Sequence, residues 1–190
     1  MFNFDNSKQV FLSKKDKSSI QRIDLPIKNL CEKINQKKDY FTTSSCSGRI
    51  VLIKDETKKQ PGLFLFRSHK KITIEELKHS LENIKNKNKS LILFKQEPCL
   101  LVVSCRNKTA QWKLFQLSRN NGWKKSGILS IDKKLLIELF STENISFPIV
   151  EKNNLLVDGN FLNIIVKKAN ENLEKCWEKI KRLENLLESL

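Results

Sequence analysis

Glycine is scarce in this chain, with five among 190 residues. They form no Gly-x-Gly-x-x-Gly run, so a dinucleotide-type fold with a phosphate-cradling first turn is not indicated. A Gly-rich phosphate loop is missing too, as are paired-carboxylate metal motifs, which argues against a phosphoryl-transfer enzyme. The five cysteines (Cys31, Cys46, Cys99, Cys105 and Cys176) are odd in number and contain no Cys-x-x-Cys pair. That spacing suits neither a disulfide framework nor a zinc knuckle, and free thiols in a reducing, cytoplasmic setting are expected. No apolar run is long enough to span a membrane, and residues 1–10 are too polar for a secretory leader. With no Gly/Pro-rich linker and no internal repeat, one domain over 1–190 is expected, its first ten residues the least ordered part.

What the chain has in excess is positive charge. Lys and Arg total 36 against 21 Asp and Glu, a net charge of +15. The excess lies in residues 1–60, at +6, and 61–159, at +8, while 160–190 carries only +1. A polyanionic partner follows, with RNA the leading candidate; a general lysine-rich bias is the plainer explanation of the same count.

Apolar spacing predicts a helix over 24–35, with Asp24 as its N-cap and Pro26 in its first turn. Thr73 and Glu76 form a capping box opening a helix over 73–84. A further helix is expected over 107–121, closed by Gly122. Strands are expected at 50–53, 63–66, 91–94, 100–105 and 146–150, with a hairpin of 127–131 and 134–140 around Asp132-Lys133. Residues 1–22 fit a loose helix or an arm. In the last thirty residues Leu162, Ile165, Val166, Ala169, Leu173, Cys176, Trp177, Ile180, Leu183, Leu187 and Leu190 recur at three- and four-residue steps. That pattern is a long amphipathic helix lying along a sheet, or less simply a dimerising coiled coil. Strands outnumber helices without alternating with them, so the expected class is α+β: a mixed β-sheet, flanking helices and a long C-terminal amphipathic helix.

The densest chemical signal is Tyr40-Phe41-Thr42-Thr43-Ser44-Ser45-Cys46-Ser47-Gly48-Arg49-Ile50. Six consecutive small hydroxyl or thiol residues pack poorly as a core strand and compete with the backbone for hydrogen bonds. Gly48 allows positive φ, so successive N–H groups can converge on an anion, and Arg49 adds a planar fork for a carboxylate or phosphate. Cys46 beside Arg49 could be a reactive thiolate, but a packing or turn role is the simpler reading.

This stretch resembles the signature of the tRNA wybutosine-synthesizing protein 3 family. Other segments agree in order: Asp16-Lys17-Ser18 with Asp24, Asp39-Tyr40-Phe41, His69, Glu97-Pro98 ahead of a strand ending at Cys105-Arg106, Gly122-Trp123-Lys124-Lys125-Ser126-Gly127-Ile128, Phe147-Pro148 and Ala169-Asn170. The similarity runs from about residue 11 to the C-terminus. Two places depart from the family pattern. Ile20 and Gln21 stand for its Lys and Gly, and Val102 stands for its histidine in Leu-His-Val.

The resemblance implies an S-adenosylmethionine-dependent N-methyltransferase acting on the 4-demethylwyosine-type base beside the anticodon of phenylalanine tRNA. The other reading is a non-catalytic RNA-binding relative. Asp16, Asp24, Asp39 and His69 are then the catalytic candidates. Ser44, Ser45, Ser47, Gly48, Arg49, Ser126 and Gly127 are the cofactor-binding candidates. Lys17, Arg106, Lys124 and Lys125 would meet RNA, with Trp123 a possible stacking platform. No metal is expected, and a monomer is preferred.

Overall fold

The computed structural model describes residues 3–13, 23–58, 60–84, 90–132 and 134–189. In chain order the elements are α1 (Phe4–Leu12), α2 (Leu25–Gln36), β1 (Tyr40–Cys46), β2 (Arg49–Lys54) and β3 (Phe64–Ser68). Then come α3 (Ile74–Ile84), β4 (Ile92–Glu97), β5 (Leu100–Cys105), α4 (Lys108–Asn120) and β6 (Gly127–Ser130). The chain ends with β7 (Leu135–Phe140), β8 (Ile145–Glu151), β9 (Asn154–Leu155) and α5 (Gly159–Leu186). These elements fall into two compact units. One holds Met1–Ser47, Cys99–Thr142 and Cys176–Leu190; the other holds Gly48–Pro98 and Glu143–Lys175.

The first unit is built on an antiparallel sheet ordered β1-β5-β7-β6. Its inner face presents Leu101, Val103, Cys105, Ile137 and Leu139 to Ile27, Leu30 and Ile34 of α2, to Leu114 of α4, and to Cys176, Ile180 and Leu183 of α5. Each fully buried aliphatic side chain contributes on the order of 2 kcal/mol, which makes this cluster the unit's main source of stability. Burial pushes the Cys105 thiol up to about 12, so it stays protonated. The buried Tyr40 hydroxyl donates to the Ala110 carbonyl at 3.0 Å, and burial first, then the neighbouring Cys105 and Asp39, raises its pKa. Asn107 caps α4 by accepting the Ala110 N–H at 2.8 Å. The helix ends before Gly122, whose φ of +103° a side chain would resist.

On the outer face α1 covers one end of the sheet. Phe4 meets Phe41 edge-on at 5.2 Å, and Phe11 lies 5.9 Å from the same ring. Arg106 clamps the helix. Its guanidinium donates to both Asp5 oxygens, pairs with Asp39 at 2.9 Å and lies 4.5 Å from the Phe4 ring centre. The hydrogen bonds between Arg106 and Asp5 lower the Asp5 carboxyl and raise the guanidinium.

The second unit carries an antiparallel sheet ordered β3-β2-β4-β8-β9, packed with α3 and the first part of α5. The capping box is present: Thr73 N–H donates to Glu76 Oε2 at 2.7 Å, and Glu76 N–H donates to Thr73 Oγ1 at 3.1 Å. Asn170 on α5 accepts the Ile72 N–H at 3.0 Å and donates to the Ile72 carbonyl at 2.8 Å, which fixes the approach to α3. The apolar stripe expected for the C-terminal helix is buried from Leu162 to Leu187, so it serves packing within the chain.

The α+β class and the long C-terminal helix stand. The single mixed sheet does not: among the described residues nine strands form two sheets, and each of their pairings is antiparallel. The reason lies at Ser47-Gly48. A two-residue link ordinarily closes a hairpin. Here Gly48, at φ +95°, takes the chain out of β1 and into β2 without pairing them. β1 pairs with β5, and β2 pairs with β3 and β4. No helix among the described residues is long and apolar enough to cross a membrane.

Candidate active site

The signature strand is irregular where its hydroxyls are densest. Thr42 pairs with Val103 and Ser44 with Val102, leaving Thr43 as an extra residue in a β-bulge. Thr43 Oγ1 donates to the Val102 carbonyl at 3.3 Å, which ties the bulge to the neighbouring strand. Beyond it Ser44 is exposed and Ser45 half-buried. The register then sets up one row across the whole sheet: Ser44, Val102, Glu138, Gly127. Four strands at about 4.8 Å put its ends about 14 Å apart. Two Gly/Ser-containing segments distant in sequence thus stand in one row, on the two edge strands of the sheet. Val102, where the resemblance led us to expect a histidine, sits between Ser44 and Glu138. Glu138 is the carboxylate in that row, and only strand pairing reveals it.

Asp24 stands at the end of the signature strand and does not cap α2 through its side chain. Its Oδ2 accepts the Ser47 N–H at 3.0 Å and the Ser47 hydroxyl at 3.2 Å. Ser47 is fully buried, so its hydroxyl holds Asp24 rather than meeting a ligand. A carboxylate oxygen of Asp24 and Cys46 Sγ lie within 4.8 Å of each other.

In the second unit Arg49 opens β2 directly opposite Glu97 on β4, and its Nε pairs with Glu97 Oε2. The guanidinium also lies 5.1 Å from the Phe64 ring centre, and Arg67 lies 4.1 Å from that same ring. Ile50 pairs with Ser68, the last residue of β3, and His69 follows it in a bend. Glu97 and Phe64 therefore orient the Arg49 fork while engaging one of its five N–H donors. The remaining donors suit a carboxylate, which is the property the sequence suggested for this residue.

Several expected site residues have other duties. Asp39 pairs with Arg106 at the far end of β1, about 25 Å of extended chain from Ser47, so it cannot share a site with Asp24. Arg106 pairs with Asp5 and Asp39 and clamps α1, a duty other than the RNA contact expected of it. Ser126 is buried; its hydroxyl donates to the Trp123 carbonyl at 2.6 Å and accepts the Phe140 N–H at 3.1 Å. That makes Ser126 a turn anchor, a duty other than the cofactor contact expected of it. Trp123 is 0% exposed and cannot stack a base. Lys124 and Lys125 are exposed. Asp16 and Lys17 lie outside the described residues.

Comparison with known proteins identifies the class first: this is a methyltransferase. The family model described as methyltransferase TYW3 matches residues 6–189, and the chain belongs to that family. A relative from Archaeoglobus fulgidus, named tRNA(Phe) 7-((3-amino-3-carboxypropyl)-4-demethylwyosine(37)-N(4))-methyltransferase, is 34% identical over 172 residues, covering 90% of this chain and 85% of the relative. One of the same name from Thermococcus sibiricus is 34% identical over 192 residues, covering 99% and 96%. A tRNA wybutosine-synthesizing protein 3 homolog from Danio rerio is 32% identical over 193 residues, covering 98% and 75%. The solved structure of a Pyrococcus horikoshii protein superposes with a TM-score of 0.88 at 30% identity, covering 98% of this chain and 95% of that one.

Proposed function

We propose that this chain methylates N4 of the 7-(3-amino-3-carboxypropyl)-4-demethylwyosine base at position 37 of phenylalanine tRNA, with S-adenosylmethionine as the methyl donor. The named activity of its relatives supports the reaction. The observation that carries the site is the Arg49 fork, oriented by Glu97 and the Phe64 ring. Both the cofactor and this base carry an amino-acid end, a carboxylate beside an ammonium. The Arg49 donors fit such a group: its guanidinium has N–H groups beyond the one given to Glu97. When bound, S-adenosylmethionine supplies an electrophilic methyl group open to in-line attack by a nitrogen.

The residues of this chain then bind, orient and take a proton. Arg49 holds a carboxylate through two parallel N–H bonds, and Glu97 keeps the fork from rotating. Ser44 and Ser45 offer hydroxyls of their own on β1. Asp24, fixed by Ser47, is the carboxylate we assign to accept the proton released at the target nitrogen, with His69 the second candidate. Gly127 presents backbone without a side chain at the far end of the row, where a Cβ would meet nothing within 4 Å. Lys124 and Lys125 face the RNA phosphates. Val102 favours one other reading, an RNA-binding relative that does not methylate, because the row lacks the histidine that the resemblance led us to expect.

Calorimetry separates the two readings. The enzyme binds S-adenosylmethionine with one-to-one stoichiometry, and S-adenosylhomocysteine competes. A protein that binds phenylalanine tRNA but neither cofactor form contradicts the methyl-transfer reading.

A further inference from the structure

Helix α4 carries a stripe that the site above does not use. Lys108, Trp112, Phe115 and Arg119 fall at steps of four, three and four residues, so they share one helical face. The helix buries a different face, through Ala110, Gln111, Leu114 and Ser118. Trp112 is 51% exposed, whereas Trp123, a short way on, is 0% exposed. The Trp112 and Phe115 rings lie 5.6 Å apart at 32°, and the Arg119 guanidinium sits 5.6 Å from the Phe115 ring centre. A cation therefore stands at each end of an aromatic pair, over about 16 Å of helix.

Along the chain, the charge flanking this stripe is of one sign. No Asp or Glu occurs between Glu97 and Asp132, a stretch that holds Arg106, Lys108, Lys113, Arg119, Lys124 and Lys125. Arg106 is paired with Asp5 and Asp39. The other five have no carboxylate partner among the described residues, in contrast to Lys28 with Glu32, Lys33 with Glu184 and Lys71 with Glu174. An ordinary solvated lysine face carries neither an exposed indole nor this lack of acidic neighbours. A second copy of the chain, itself at +15, would be repelled by such a surface. A polyanion with flat groups meets both requirements: phosphates for the cations and a base for the indole.

We propose that the Lys108–Trp112–Phe115–Arg119 face of α4 docks an RNA strand of the tRNA substrate, with a base stacked on Trp112 and phosphates at Lys108 and Arg119. This rests on tRNA being the substrate. It replaces the stacking role expected of Trp123.

The test uses the full chain and phenylalanine tRNA lacking the late wybutosine methylation, with Kd measured across a salt series. Trp112→Ala weakens binding about tenfold, the loss of one stacked base, and Trp112→Phe restores most of it. Lys108→Gln combined with Arg119→Gln lowers the slope of log K against log salt by about 1.5. Affinity for S-adenosylmethionine and thermal midpoint stay at wild-type values. An unchanged tRNA Kd and salt slope in all three variants would overturn the proposal. So would a Trp112-dependent change in sedimenting mass without a change in RNA affinity, which would make the face a protein contact. Binding is read without turnover, so the two ideas fail separately. Wild-type protein that binds tRNA through this face but transfers no methyl group sinks the enzyme reading alone. Variants that methylate with an unchanged KM for tRNA sink this one alone.

Discussion

Arg49→Ala divides a binding role from a structural one. The side chain has two recorded partners, Glu97 and the Phe64 ring, and Arg49 and Glu97 are 28% and 30% exposed. An ion pair at that depth contributes about 1 kcal/mol, and a partly solvated cation–π contact about 0.5 kcal/mol more. The expected stability loss is therefore about 1.5 kcal/mol, or about 3–6 °C in a chain of this size. The ligand loses more. Two charge-assisted N–H bonds to a carboxylate are together worth about 3 kcal/mol, roughly a hundredfold in affinity. Calorimetry with S-adenosylmethionine and steady-state KM for the tRNA show which carboxylate Arg49 holds, and scanning calorimetry gives the stability term. Arg49→Lys keeps the charge without the fork, so its ligand loss should stay close to that of alanine. A large drop in melting temperature with both ligand affinities intact would refute the reasoning and make Arg49 a purely structural residue.

Three further outcomes follow from individual contacts. Asp24→Asn removes a charged acceptor from the Ser47 N–H and hydroxyl; about 1–2 kcal/mol is lost, and methyl transfer falls with it, so wild-type rate and melting together would discard the assignment. Cys46 is the half-buried thiol among four buried ones, so brief alkylation of folded protein followed by peptide mass mapping should label it first, while Cys46→Ser retains most activity. Glu184 is buried, which by itself would raise its carboxyl, but hydrogen bonds from Lys181 and Lys33 overcome this and hold it below the ordinary 4.5. Its contribution is present above that value and lost as pH falls through the depressed folded-state pKa. The melting difference between wild type and Glu184→Gln should therefore be full at neutral pH and vanish in acid, and a constant difference across the range would contradict this.

Local features were legible in the sequence. The Thr73–Glu76 capping box, the Asn107 start and Gly122 end of α4, the β6–β7 hairpin and the stripe on α5 each depend on residues a few positions apart. Their physics is read within one turn or one helical face. The signature was legible as an oddity, since so many adjacent hydroxyls suit no apolar core. Strand pairing was not legible, because β1 and β2 adjoin in sequence but take different partners. That hid the Ser44–Val102–Glu138–Gly127 row, the setting of Arg49 by Glu97 and the engagement of Asp24 by Ser47. Trp123 and Trp112 show the same limit. Both stand near lysines, and only burial tells that the first is core and the second is surface.

The central claim is methyl transfer at the signature site. The direct measurement is to incubate the full chain with S-adenosylmethionine and phenylalanine tRNA lacking the late methylation, digest the RNA and weigh its nucleosides. The account predicts a one-methyl increase on the tricyclic base with wild-type protein and none with Arg49→Ala. An unmethylated base after incubation with protein that binds both tRNA and cofactor would contradict it.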